Sequence, residues 1–148
     1  MPQTNILIVE DERIIAMALE KRLKGLGYIV AGLAANGAEG VRDALALRPD
    51  IVLMDISLGK GIDGIEAAEL VRNQADIPIV YMTAYSDPGT LERAKLTTPF
   101  GYLLKPYNDN ELQMAIEIGL YRHQTEQKMR DNNEKCLLEA NEVGTWQV

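Results

Sequence analysis

Polar side chains that could do chemistry follow four of the short apolar runs of this sequence. They are Glu10, Asp11, Glu12, Asp55, Thr83 and Lys105. Clustered carboxylates repel one another, and a raised pKa or a divalent cation relieves that repulsion. Because carboxylate, carbonyl and water oxygens are the ligands of hard cations, these residues predict a site for Mg²⁺ or Mn²⁺.

The same residues suit the chemistry of a phosphoryl group. When a phosphoryl group is attached to a carboxylate, a nearby metal ion and ammonium group can balance the charge of its oxygens, and a hydroxyl can donate a hydrogen bond to them. Asp55 follows the central run and is the natural nucleophile, since carboxylates form acyl phosphates. Each residue alone has a plainer interpretation: Asp11 and Glu12 would favour the dipole of a following helix, and Thr83 and Lys105 could be a cap and a solvated side chain. Because these residues all follow predicted strands, their occurrence together favours a reactive site over the separate plainer interpretations.

The elements that must position these residues are apolar runs alternating with helical patterns. This alternation is typical of βαβ units that build a parallel sheet. Most runs are continuously apolar, as expected of strands buried on both faces, so helices should cover both sides of the sheet. The strand candidates are residues 6–9, 28–33, 51–54, 79–82 and 102–104. In such a sheet, ligands bind beyond the carboxyl ends of the strands.

Five helices are predicted between and after these strands. Apolar residues at helical spacing mark the first, between residues 15 and 26, and the next two cover residues 37–47 and 64 to about 74. A fourth should start at Asp87 and Pro88, and a fifth at Asn108, with Glu111 completing a capping box. The methionines assigned to the core are Met17, Met54, Met82 and Met114.

Composition excludes several function classes. With 15 Lys and Arg against 22 Asp and Glu, the net charge of −7 disfavours binding to nucleic acid or to an anionic membrane. Cys136 is the single cysteine, so no intrachain disulfide and no cysteine-rich zinc site can form. The N-terminus lacks the pattern of a signal peptide, and no apolar run approaches the ~20 residues of a membrane span. A cytoplasmic location is expected.

Four motifs together resemble the receiver domain of two-component response regulators, over about residues 4–125. They are Ile-Leu-Ile-Val-Glu10-Asp11-Glu12, Ile-Val-Leu-Met-Asp55-Ile, Ile-Val-Tyr-Met-Thr83-Ala84 and Gly-Tyr102-Leu-Leu-Lys105-Pro106. The resemblance implies a flavodoxin-like α/β fold, a doubly wound five-stranded parallel sheet in the order 2-1-3-4-5. The polar segment after residue 122 predicts an extended C-terminal helix.

The resemblance also implies the roles of the site residues. Asp55 would be the phosphoacceptor, and Mg²⁺ would be held by Asp11, Asp55 and the backbone carbonyl of Ser57. Glu10, where the family usually has Asp, would bind in the outer shell or through water.

The resemblance further implies a conformational switch. Thr83 and Lys105 would contact the phosphoryl oxygens, and Tyr102 matches the aromatic position that swings inward. The surface that responds would be the fourth predicted helix, the fifth strand and the fifth predicted helix. The bond before Pro106 is typically cis in this family, whereas trans is the commoner general state of such bonds.

Three local features depart from the family pattern or could tune the site. Residues 97–99, Thr-Thr-Pro, replace a small glycine-containing loop, and residues 59–61, Gly-Lys-Gly, lengthen the loop after Asp55. Tyr85 could shield an acyl phosphate from water, which predicts slow self-hydrolysis.

The chain divides into a receiver domain, residues 1–122, a polar helical linker, residues 123–136, and residues 137–148. The last segment, Leu-Leu-Glu-Ala-Asn-Glu-Val-Gly-Thr-Trp-Gln-Val, resembles the opening of a PAS sensor domain, and the alternative is an amphipathic C-terminal extension. His123 lacks the surroundings of a phosphorylated histidine and is interpreted as a solvated helix residue.

The predicted function is a phosphorylatable switch of a two-component system, not an enzyme with an external substrate. Its partners would be a histidine kinase or phosphotransfer protein and an output domain or protein, and the chain could belong to a larger hybrid kinase. A homodimer is an arrangement that this family allows. Two alternatives stay open: a Mg²⁺-dependent aspartyl-phosphate hydrolase, which would normally carry a second Asp where this chain has Ser57, and an unphosphorylated protein-binding scaffold.

Overall fold

The computed structural model describes residues 3–59, 61–84 and 101–143, with side chains described as far as residue 129. These residues form five strands and four helices. The strands are β1 (Asn5–Val9), β2 (Ile29–Ala34), β3 (Ile51–Asp55), β4 (Ile79–Thr83) and β5 (Gly101–Leu104). The helices are α1 (Arg13–Gly25), α2 (Gly37–Leu47), α3 (Gly64–Gln74) and α4 (Asp109–Val143). The fifth predicted helix is therefore α4, because the helix predicted from Asp87 lies outside the described residues.

The strands form one parallel sheet in the order β2-β1-β3-β4-β5. This confirms the flavodoxin-like arrangement. All five residues of β3 are buried, as a central strand covered on both faces requires. β2 and β5 lie at the two edges and are only partly buried. The phosphoacceptor candidate at the end of β3 is thus at the middle of the sheet.

Alternate side chains of β1 point to opposite faces of the sheet, and each face has its own core. Ile6 and Ile8 pack with residues of α1 and α4, which include Leu19, Leu23, Leu112 and Ile116. Leu7 and Val9 pack with residues of α2 and α3, which include Ala44, Ala68 and Val71. Burying each large aliphatic side chain contributes about 1.5–3 kcal/mol. Helices on both sides were predicted and are confirmed.

Side chains cap the starts of three helices. The Asn108 side chain accepts from the Glu111 amide at 2.8 Å, and Glu111 accepts from the Asn108 amide at 3.1 Å, as the predicted capping box requires. Asp63 and Glu66 form the same box at the start of α3, which was not predicted. Asn36 caps α2. These bonds satisfy amides that have no partner inside the helix.

Three side-chain predictions, for Met17, Met114 and His123, are wrong. Met17 and Met114 are 50% and 61% exposed, because other residues of α1 and α4 supply the buried stripes. The His123 side chain is only 12% exposed, and its Nε2 lies 3.2 Å from Asp76 Oδ1, so it is not solvated. Gln127 Nε2 donates to the other Asp76 oxygen at 2.9 Å. The segment after residue 122 does continue as helix, to Val143.

Several predictions fall on residues that the structure does not describe. They concern Lys60, Tyr85, residues 97–99 and residues 144–148. The two glycines that flank Lys60 are described, with φ values of 66° and 84°. Positive φ is costly for other residues, so the loop after β3 depends on glycine at both positions.

Candidate functional site

The parallel strands bring the candidate residues to one edge of the sheet. Glu10 directly follows β1, Asp55 ends β3 and Thr83 ends β4. Lys105 directly follows β5, and its amide donates to the carbonyl oxygen of Thr83 at 2.7 Å. Because all strands run in the same direction, residues far apart in the sequence become neighbours at their carboxyl ends.

Three carboxylates meet at this edge. One oxygen each from Glu10, Asp11 and Asp55 lies within 4.8 Å of the others. Glu10 and Asp55 are buried, at 3% and 6% exposure, while Asp11 faces solvent. Asp55 Oδ1 also accepts from the Ser57 amide at 2.9 Å, which fixes the orientation of the carboxylate. The predicted acidic cluster therefore exists as a compact group.

Lys105 lies between the two buried carboxylates. Its Nζ donates to Glu10 Oε2 and to Asp55 Oδ2, both at 3.1 Å. Burial disfavours the charged ammonium, but the Asp55 and Glu10 carboxylates outweigh burial and raise the pKa of Lys105. The ammonium therefore stays charged at neutral pH, at the place where a phosphoryl group on Asp55 would need a positive charge.

Burial raises the pKa of Glu10 to about 7, with hydrogen bonding and repulsion from Asp55 adding to the rise and Lys105 opposing it. A carboxyl group that binds its proton more tightly in the folded state stabilises the fold at low pH. This contribution is fully present below the ordinary pKa of about 4.5 and is lost as the pH rises through about 7.

We therefore expect the urea midpoint of the metal-free protein to fall between pH 5 and pH 8. In Glu10→Gln this part of the decline should disappear, because the amide does not titrate. The measurement is urea unfolding in EDTA at several pH values, with Glu12→Gln, an exposed neighbour, as the control. A decline of equal size in Glu10→Gln and wild type would contradict the role of Glu10.

The donor set fits a hard divalent cation. Carboxylate oxygens and a backbone carbonyl are the ligands of Mg²⁺ and Mn²⁺, and the exposed Asp11 leaves a route from solvent. Asp11, Asp55 and the carbonyl of Ser57 would supply the ligands, and Glu10 would bind in the outer shell or through water. A cation would also relieve the repulsion from Asp55, which adds to the effect of burial on the pKa of Glu10.

The helix dipole explains the acidic residues before α1 only in part. The first turn of α1 contains no acidic residue, and Glu12, at the N-cap, makes no side-chain capping bond. Asp11 lies before the helix and contributes an oxygen to the carboxylate cluster. The site thus accounts for Glu10 and Asp11, while Glu12 lies where the dipole of α1 favours a negative charge.

Thr83 and Tyr102 lie on the two strands nearest Lys105. Thr83 is partly buried at the end of β4. Tyr102 is 40% exposed, and the centroid of its ring lies 6.0 Å from that of the buried Tyr81, its neighbour in the β4 and β5 register. The Tyr102 ring is therefore partly exposed to solvent in this structure.

Sequence reasoning missed two residues that shape the site. Gly64, the first residue of α3, lies so close to β3 that a Cβ there would collide with the carbonyl oxygen of Asp55. Arg22, on α1, contacts Tyr107, two residues after Lys105. A glycine at a helix start was a visible signal, but nothing in the sequence pairs Arg22 with Tyr107.

Residues 6–117 match the family described as the response regulator receiver domain. The chain belongs to this family. The signal receiver domain of a modulated diguanylate cyclase from Desulfovibrio desulfuricans is 42% identical, with a TM-score of 0.79, over 84% of this chain and 99% of that one. The N-terminal domain of a response regulator/sensory box/GGDEF protein from Carboxydothermus hydrogenoformans is 32% identical, with a TM-score of 0.76, over 82% and 98%.

Curated relatives of this receiver are longer proteins. The transcriptional regulatory protein PdtaR of Mycobacterium tuberculosis is 38% identical over 117 residues, 79% of this chain and 57% of that protein. The phyllosphere-induced regulator PhyR of Methylorubrum extorquens is 32% identical over 131 residues, 88% of this chain and 48% of that protein. The chain thus spans about half the length of these relatives.

Membership places the chain in two-component signalling, in which receivers work with histidine kinases. The acidic cluster is of the kind that receivers use to accept a phosphoryl group and bind Mg²⁺. Receivers are not enzymes of the conventional kind. Among the described residues, no helix is both long enough and apolar enough to cross a membrane.

Proposed function

We propose that Asp55 accepts a phosphoryl group from the phosphohistidine of a histidine kinase or phosphotransfer protein. The observation that carries this proposal is the position of Lys105, whose ammonium contacts Asp55 and Glu10 inside a cluster of three carboxylates. One carboxylate with a neighbouring ammonium and a predicted cation site is the arrangement that phosphoryl transfer needs.

In the transfer, a carboxylate oxygen of Asp55 forms a bond to phosphorus while the bond from phosphorus to the histidine nitrogen breaks. The electron pair of that bond leaves with the histidine nitrogen, and because the other ring nitrogen carries a proton, the imidazole is released in its neutral form. A bound Mg²⁺ supplies positive charge to the phosphoryl oxygens. Lys105 contributes a second positive charge, and Thr83 a hydroxyl that donates a hydrogen bond to the modified Asp55.

The proposed output follows from the positions of Thr83, at the end of β4, and Tyr102, on the neighbouring strand β5. If Thr83 is drawn toward a phosphoryl group, it vacates space at the end of β4, and the half-exposed Tyr102 ring can turn inward. The surface that would change consists of the predicted fourth helix, β5 and α4. Its exposed apolar side chains include Leu104, Met114, Ile118 and Tyr121, which suit an output partner or a second copy of the chain.

We propose the same domain organisation as the sequence predicts: a receiver to residue 122, a helical linker to residue 136 and a PAS-like segment or extension from residue 137. The unbroken helix from Asp109 to Val143 supports a helical linker. The similarity to the N-terminal domain of a protein whose name includes a sensory box supports a sensor domain after it.

The hydrolase alternative has less support. It requires a general acid two residues after the nucleophile, and the exposed Ser57 hydroxyl at that position is a poor acid at neutral pH. The scaffold alternative predicts no phosphorylation, so one experiment separates it from the proposal.

The test is intact mass spectrometry of the protein incubated with Mg²⁺ and acetyl phosphate. We expect one added phosphoryl group, which is absent when EDTA replaces Mg²⁺, because the cation must neutralise phosphoryl oxygens before the carboxylate can attack. Mg²⁺ binding is measured separately, from its effect on the urea midpoint. Bound Mg²⁺ without any mass increase would contradict the proposal and favour the scaffold.

A further inference from the structure

One guanidinium joins α1 to the segment that follows Lys105. Arg22 lies in the last turn of α1, and its Nε donates to Asp109 Oδ1 at 2.8 Å. Its Nη2 donates to the carbonyl oxygen of Tyr107 at 3.1 Å. The flat face of the group lies over the Tyr107 ring, with Cζ 4.8 Å from the ring centroid. Three different contacts therefore converge on one side chain.

These contacts hold both ends of a short connection. Tyr107 precedes the N-cap of α4, and Asp109 is the first residue of that helix. The hydroxyl of Tyr107 also lies 3.9 Å from the sulfur of Met82, the residue before Thr83. Tyr107 thus links the guanidinium of Arg22 to the strand end that carries Thr83.

Lys105 follows a short strand at the edge of the sheet, where only one neighbouring strand can hold the backbone. β5 has four residues, lies at the edge of the sheet and is paired with β4. The Lys105 side chain must nevertheless reach two buried carboxylates. A small shift of the backbone after β5 would move the ammonium, and displacements near 1 Å in a reacting site can cost up to about 100-fold in rate.

Resting on the proposed function, we propose that Arg22 is a positioning residue for the phosphoryl transfer: through Tyr107 and Asp109 it fixes the segment that places the Lys105 ammonium against Asp55. Arg22 does not touch Asp55 itself. Lysine cannot replace it, because a single ammonium lacks the planar fork that donates to two acceptors while its face covers a ring.

The test compares rates of phosphorylation by acetyl phosphate in the full chain, followed by intact mass. We expect Arg22→Ala and Arg22→Lys to react more slowly, on the order of 10-fold for the alanine variant. Arg42→Ala is the matched control, because Arg42 on α2 also pairs with a carboxylate, that of Asp43, and should leave the rate unchanged. Mg²⁺ affinity should be unchanged in all three variants, since none removes an oxygen ligand.

A double variant identifies the route of the effect. If Arg22 acts through Lys105, then Lys105→Ala and the Lys105→Ala, Arg22→Ala double variant should react at the same rate. The inference would be overturned if Arg22→Ala slowed phosphorylation by the same factor in the Lys105→Ala background as in the wild-type protein. It would also be overturned if Arg22→Ala alone left the rate unchanged. The proposed function would stand in both cases. A parallel fall in Mg²⁺ affinity would also overturn it, since that indicates general disruption. A wild-type protein that takes no phosphoryl group would instead defeat the proposed function.

Discussion

Asp55→Asn is expected to take up no phosphoryl group from acetyl phosphate, under conditions in which the wild-type protein gains one. The amide oxygen carries no negative charge and is a poor nucleophile, so the bond to phosphorus does not form. Intact mass of the two proteins after the same incubation is the measurement. Asp43→Asn, which changes a carboxylate on α2, should still be modified. A phosphoryl group on Asp55→Asn would mean that another residue is the acceptor.

The same variant should keep its fold. Asp55 repels Glu10 and helps to raise the pKa of that carboxyl group, so an amide at position 55 removes a repulsion. The Lys105 ammonium keeps Glu10 as a partner. We expect the urea midpoint of Asp55→Asn, in EDTA at pH 8, to be at least as high as that of wild type. An unfolded variant would also fail to take up a phosphoryl group, so the urea midpoint is needed to show that the loss of phosphorylation is due to the missing carboxylate.

Gly64→Ala is expected to lower the free energy of unfolding by about 3 kcal/mol. The added Cβ would collide with the carbonyl oxygen and carbon of Asp55 and approach the Cα of Ile56, all of them backbone atoms. A backbone cannot move aside as a flexible side chain can, so either α3 or the end of β3 must shift. Since β3 carries the phosphoacceptor, the rate of phosphorylation should fall as well.

Gly25→Ala is the matched control for this prediction. It is also a glycine at a helix end, but nothing lies within 4 Å of its added Cβ. Alanine has the higher helix propensity, so this variant should be neutral or more stable by up to about 1 kcal/mol. Urea unfolding of both variants gives the comparison. Equal destabilisation of the two would show that the close approach of α3 to Asp55 does not matter.

Much of the fold was predictable because the information is local. The apolar runs gave the five strands to within about one residue at each end, and Asn108 with Glu111 marked the start of α4. Parallel strands carry their carboxyl ends to one edge, so the grouping of Glu10, Asp55 and Lys105 followed from topology. The capping box at Asp63 was equally local and was overlooked.

The remaining features depend on contacts between distant parts of the chain. Whether Met17 and Met114 face the core depends on which side of each helix packs against the sheet. The apolar residues of these helices cover more than that side, so their spacing does not identify which of them are buried. The burial of His123 depends on Asp76, and the role of Arg22 depends on Tyr107, 85 positions away. Such pairs are set by how the elements pack, so the sequence pattern alone could not give them.

The contact between Asp76 and the C-terminal helix has a mechanical consequence. α4 has 35 residues, a rod of roughly 52 Å at the usual rise per residue. His123 and Gln127 both contact Asp76 part-way along it, so this part of the helix is held against the connection between α3 and β4. The arm beyond Gln127 is about 24 Å long, so a tilt of about 10° would move its far end by about 4 Å. Any change of tilt at the Asp76 contact is thus magnified into a larger displacement at the end of the described helix.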